Sequence, residues 1–157
     1  MKPRVYLETT IPSYLTAWVS RDLVMAGHQQ TTREWWETRR HEFDLFVSQF
    51  VIDEVSLGDP DAASRRLDVL TDAPLLEPSE NVYALAEALM RRVPLPANAA
   101  ADSVHIAIAA VNGMDYLLTW NCTHIANASL RGGIETVCRD LGYEPPVICT
   151  PEELLKE

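Results

Sequence analysis

Polar and apolar positions along this chain follow two rhythms: short apolar runs of strand length, and longer stretches in which apolar residues return every three or four positions. The runs at Val5 to Glu8, Asp44 to Ser48, Leu75 to Pro78, Tyr116 to Trp120 and Val147 to Cys149 predict strands. Between them, helical spacing is expected after a turn at Ile11-Pro12-Ser13, from Asp22 to His41, and in a short helix that carries Asp53 and Glu54 and is closed by Gly58. Further helices are predicted from Pro60 to Asp72, with Ala63, Leu67 and Leu70 on one face, and from Ser79 to Arg92, with Val82, Leu85, Ala86 and Leu89 as the buried stripe. The last are the segment ADSVHIAIAAV opened by Asp102, and Ile134 to Leu141 after Gly132-Gly133. Asp22 and Ser79 suit helix caps, and Pro94 and Pro96 break the pattern as a connector rather than a domain boundary.

About five strands alternating with helices predict a single α/β domain over 1–157, with a mostly parallel central sheet flanked by helices. In such sheets the carboxyl ends of the strands line the binding crevice. Glu8 and Asn121 both end strand-like runs, so both are expected at that crevice. Glu54 and Asp102 lie on helices that can reach it, and together the four form an oxygen-rich set. Hard divalent cations prefer oxygen ligands, so this set fits magnesium or manganese. Read singly, each residue has an ordinary use: Glu8 as a strand end in solvent, Asp102 as a cap, Glu54 beside Asp53 as a solvated charge, Asn121 as a turn former.

Composition narrows the function. A chain of 157 residues with 47% apolar and 23% charged residues is an ordinary globular length and balance. No stretch approaches the ~20 apolar residues of a membrane span, and the start MKPRVYLE lacks the apolar run of a signal peptide, so a cytoplasmic protein with no membrane partner is expected. Cys122, Cys138 and Cys149 show no CxxC spacing and are expected as buried or half-buried thiols. The net charge of −10 opposes non-specific attraction to a phosphate backbone. Local basic positions, Arg33, the pair Arg39 and Arg40, the pair Arg65 and Arg66, and the pair Arg91 and Arg92, are the candidates for phosphate contacts. GxSxG, P-loop and HExxH motifs are all missing, which removes the commonest hydrolase and nucleotide-binding alternatives.

The succession VYLETTIPSYL, VSQFVIDEVSLG, ADSVHIAIA and YLLTWN, which spans nearly the whole chain, resembles the PIN domain, an α/β fold of metal-dependent ribonucleases that includes VapC-type toxins. The resemblance implies that Glu8, Glu54, Asp102 and Asn121 hold Mg2+ or Mn2+ and carry phosphodiester hydrolysis of RNA. It also implies a homodimer and a place in a type II toxin-antitoxin pair, with an antitoxin protein as partner. Glu8 stands where the family more usually has Asp, and Asn121 where many members have Asp. These substitutions keep a second reading open, a catalytically weak relative that binds RNA or a partner; an unrelated phosphohydrolase acting on small phosphate esters is a third. His105, three residues after Asp102, is expected as a satisfied core histidine or a ligand. His124 and Asn127, in NCTHIAN, and Arg33 are the candidate substrate contacts, and Trp35 and Trp36 are expected in the core or at a dimer contact.

Overall fold

The structure is a computed structural model that describes residues 1–156. Its five strands are β1 (Arg4–Leu7), β2 (Asp44–Ser48), β3 (Leu75–Leu76), β4 (Tyr116–Leu118) and β5 (Val147–Cys149). All neighbours pair in parallel, in the order β3-β2-β1-β4-β5. The central strand reads as a continuous apolar run because both of its faces are covered: Val5, Tyr6 and Leu7 are fully buried. Tyr6 stands in register with Phe46 on one side and Leu117 on the other.

Seven helices connect the strands: α1 (Thr10–Thr16), α2 (Leu23–Thr38), α3 (Gln49–Val55), α4 (Pro60–Val69), α5 (Glu80–Arg92), α6 (Ala100–Val111) and α7 (Ala128–Asp140). They separate into two packed groups, α1 against α2 and α4, and α5 against α6 and α7. From β1 the sheet grows in opposite directions, toward β2 and β3 on one side and β4 and β5 on the other. By the right-handed rule for parallel crossovers, growth in opposite directions from β1 puts the two helix groups on opposite faces. Helix starts follow their side chains: Asp22 accepts from the Met25 N–H at 2.9 Å, and Asp59, ahead of Pro60, from the Ala62 N–H at 2.9 Å. Gly58, with φ of 83°, provides the left-handed turn that ends the α3 segment.

Several expectations shift. Helix α7 begins at Ala128 and runs through Gly132 and Gly133, because Asn127 caps it by accepting from the Ser129 N–H at 2.9 Å. Gly133 there lies against Val93, at ordinary contact distance for an added Cβ. Ser79 makes no side-chain capping bond, and α4 ends at Val69 instead of Asp72. Asp102 lies inside the first turn of α6 and does not cap it. Trp35 is fully buried and tilted against Phe43, with ring centroids 5.7 Å apart, so it belongs to the core. Trp36 is half-buried, with the Arg40 guanidinium 4.9 Å from its ring centroid. The exposed apolar surface lies instead at Trp18, Val19, Leu23 and Val24, between α1 and the start of α2. Cys122 is exposed, while Cys138 and Cys149 are buried, and burial pushes their thiols up to about 11 and about 12. No helix among the described residues is long and apolar enough to cross a membrane.

Candidate functional site

The order of the strands puts a topological switch between β1 and β4, and polar side chains gather at the carboxyl ends of these strands. Glu8 follows β1 and is only 4% exposed. Its Oε1 accepts from the Thr10 N–H at 3.2 Å, the Thr10 hydroxyl at 2.5 Å and the Thr119 hydroxyl at 2.6 Å. The two threonines tie β1 to β4: Thr10 Oγ1 accepts from the Trp120 N–H at 2.8 Å, and Thr119 Oγ1 accepts from the Asn121 N–H at 2.9 Å. A carboxylate accepting several protein donors tolerates burial that an unpaired one does not.

Asn121 continues the chain of contacts. Its Nδ2 donates to Asp102 Oδ1 at 3.0 Å, and its Oδ1 accepts from the His124 N–H at 3.0 Å. The other oxygen of Asp102 lies 2.8 Å from His124 Nδ1. A carboxylate at position 121 has no N–H to offer Asp102, so the amide is what makes this contact attractive in the absence of a cation. Asp102 and Glu8 therefore fall at the same edge of the sheet.

Glu54, on α3 after β2, forms a second cluster. Its Oε1 accepts from the Thr9 hydroxyl at 2.7 Å and shares a 2.5 Å hydrogen bond with His105 Nε2. His105 Nδ1 is 2.7 Å from the Tyr6 hydroxyl, which is 2.8 Å from Ser48 Oγ. Burial by itself pushes the Glu54 carboxyl up, but the bond and charge of His105 and the Thr9 hydroxyl outweigh it and hold the group below its ordinary value. Burial pushes the Tyr6 phenol up, so it remains a neutral link in this chain. Either protonation state of His105 leaves Tyr6 and His105 fully bonded, since both hydroxyls of the chain can reverse direction.

The donor chemistry fits a hard divalent cation: carboxylate oxygens from separate segments, with Glu8 Oε2 and Glu54 Oε2 receiving no hydrogen bond among the described residues. The cluster is not preassembled, because among the described residues no three His, Cys, Asp or Glu side chains stand together as a ready metal-binding group. Histidines instead occupy Glu54 and Asp102.

Of the expected substrate contacts, His124 joins the crevice through Asp102. Asn127 caps α7 and donates to the Thr123 carbonyl at 2.8 Å. Arg33 donates to the Ala17 carbonyl at 2.7 Å and the Leu15 carbonyl at 3.5 Å, closing the end of α1. Arg66 closes α3 in the same way, on the Val55 and Leu57 carbonyls, and Arg92 pairs with Asp140. The sequence reading missed Tyr6, Thr9, Thr10 and Thr119, and it missed an aromatic wall in which His28 stacks on Trp120 at 4.0 Å with Tyr14 nearly parallel at 6.1 Å. The TT pair directly after Glu8 was the available signal, since hydroxyls next to a buried carboxylate are its nearest donors. No protein-family model matches the chain, and no curated protein is significantly similar to it.

Proposed function

We propose that this protein is a divalent-cation-dependent phosphodiester hydrolase acting on RNA, with Glu8, Glu54 and Asp102 holding Mg2+ or Mn2+ and Asn121 completing the set. The observation that carries this reading is that Glu8 after β1, Glu54 on α3 after β2, and Asp102 on α6, bonded to Asn121 after β4, all lie along the carboxyl edge of the sheet. An acidic crevice in a chain of net charge −10 repels a phosphodiester unless a cation stands between them. The resemblance of the four motifs to PIN-domain ribonucleases points the same way. A bound cation supplies charge to offset that developing on phosphorus and lowers the pKa of a coordinated water.

The chain's own residues do the positioning. Thr10 and Thr119 hold Glu8 by one oxygen, and Thr9 and His105 hold Glu54 by one oxygen, so each carboxylate keeps its other oxygen for the cation. Tyr6 and Ser48 fix the ring of His105 behind Glu54. His124 and Asn121 orient Asp102 until the cation competes for it. Incubation of the purified protein with mixed RNAs in Mn2+ or Mg2+ against chelator tests the reading. Cation-dependent cleavage of RNA, with a simple phosphomonoester left intact, is the expected result; no cleavage under any of these conditions sinks it.

One observation favours a second reading, a binding module without catalysis. The contacts of His105 to Glu54 and of His124 to Asp102 already give one oxygen of each acid a protein partner. RNA binding that is indifferent to cation, with no cleavage, selects this alternative. Pairing with an antitoxin protein and homodimerisation are further parts of the proposal that rest on the resemblance, and a cytoplasmic location is proposed with them.

A further inference from the structure

Beside Glu54 and His105 the surface opens into a pocket of about 350 Å³ between α3 and α6. Helical spacing builds its walls. Phe50, Asp53 and Glu54 share one face of α3, at i, i+3 and i+4, while Ala100, Ala101 and Val104 form the facing stripe of α6. Its lining is almost wholly apolar, and the charged groups at its rim are the carboxylates of Asp53 and Glu54, with no lysine or arginine. The Phe50 ring is fixed edge-on against Tyr83, with centroids 6.4 Å apart and planes at 85°. Asp53 Oδ1 accepts from Gln49 Nε2 at 2.8 Å, which holds the carboxylate in place and leaves Oδ2 free among the described residues.

These features disfavour a phosphate in the pocket and suit a flat apolar group that carries donors. The geometry points to a nucleobase subsite in which a guanine ring lies between Phe50 and the alanine pair and its Watson–Crick edge faces Asp53. A carboxylate only accepts, through two oxygens side by side. Guanine offers it two adjacent donors, N1–H and the N2 amino group, whereas adenine and cytosine offer one amino group and uracil a single N–H. Extruded bases are read by this combination of stacking and edge hydrogen bonds. The inference deepens the ribonuclease reading and rests on it for its purpose: a guanine seated here places its own nucleotide next to Glu54.

The pocket is testable without metal or catalysis, using free nucleosides in chelator and amide chemical shifts of the protein. Guanosine is expected to shift the signals of residues 50–54 and 100–105 and to bind about tenfold tighter than inosine or uridine. Ala101→Phe, at an exposed helix position, is expected to fill the pocket and abolish the shifts, and Asp53→Asn to remove the preference over inosine. Guanosine shifts absent from these residues, equal binding of uridine, or unchanged binding by both variants overturns the inference. A parallel cleavage assay in Mn2+ on oligoribonucleotides separates the two proposals. Guanosine binding without any cleavage removes only the nuclease reading, and cleavage with no base preference and no guanosine binding removes only the subsite.

Discussion

His105 and His124 each contact one carboxylate of the crevice, at 2.5 Å to Glu54 and at 2.8 Å to Asp102, yet their surroundings differ. The His105 side chain is 1% exposed, sits on the buried helix α6 and continues through Tyr6 to Ser48, so that its contact is built into the core. The His124 side chain is 21% exposed and belongs to the loop between β4 and α7, where its ring contacts Asp102 and its backbone N–H contacts Asn121. One pair of groups serves two ends: the inner pair fixes a carboxylate as scaffold, and the outer pair holds a carboxylate that can be released. Burial of the histidine, and not of the carboxylate, sets which is which, since Glu54 is 37% exposed and Asp102 18%.

The largest effect is expected on the outer side. Asp102→Asn should reduce cation-dependent RNA cleavage by about a thousandfold or more, since it removes a charged ligand and the charge it supplies. The fold should survive, because the amide keeps an oxygen for Asn121 and offers an N–H to neutral His124 Nδ1. A thermal melt beside the cleavage assay checks both halves, and undiminished cleavage breaks the assignment of Asp102.

Next comes the inner side. His105→Ala should lower stability to urea by about 2–4 kcal/mol, because it opens a cavity and removes one buried hydrogen bond each from the Tyr6 hydroxyl and Glu54. His124→Ala should cost less than about 1 kcal/mol, as expected for a half-exposed loop contact. Equal costs for the two substitutions would erase the distinction between scaffold and releasable pair.

A smaller effect, with a sign that depends on metal, is expected for Asn121→Asp. Without cation the new carboxylate faces Asp102 where an amide donated at 3.0 Å, and the protein should lose about 1–2 kcal/mol. Mn2+ should reverse the sign and bind tighter than to the unmodified chain. A titration calorimetry experiment showing no gain in Mn2+ affinity counts against a shared cation.

The smallest effect concerns pH. Because the folded Glu54 carboxyl lies below its ordinary value of 4.5, its contribution to stability is fully present above that value and is lost as pH falls through the lowered one. The slope of stability against pH in that acidic window should be shallower in Glu54→Gln. Identical slopes would show that the bond to His105 does not favour the charged carboxylate.

Most of the architecture was legible because local rules agreed with the global fold. The strand Asp44–Ser48 and the strand Val147–Cys149 carry their length in the apolar run, and Asp22, Pro60 and Gly58 mark boundaries by their own chemistry. Helix α7 was misread because a glycine pair reads locally as a breaker, while a cap at Asn127 and packing against Val93 extend the helix across it. Glu8 and Asn121 were legible as strand-end oxygens, Asp102 as a helix-start oxygen, and Glu54 as an oxygen on the short helix before Gly58. Their partners were not, since Thr119 lies 111 residues from Glu8 and His105 51 residues from Glu54, and sequence periodicity carries no information about such pairings.

The position of β1 at the centre of the sheet has a consequence for how the molecule comes into being on the ribosome. Residues 4–76 contain β1, β2 and β3 and can pair as they emerge, yet one edge of β1 waits for Tyr116–Leu118. Until then its N–H and C=O groups along that edge lack partners, and contacts of such long separation form slowly. Thr119, which anchors Glu8, arrives with that strand, as does Asn121 soon after, so the acidic crevice is among the last features of the newborn chain to take shape. A ribosome that stalls before residue 116 releases a fragment with an open sheet edge and no assembled site.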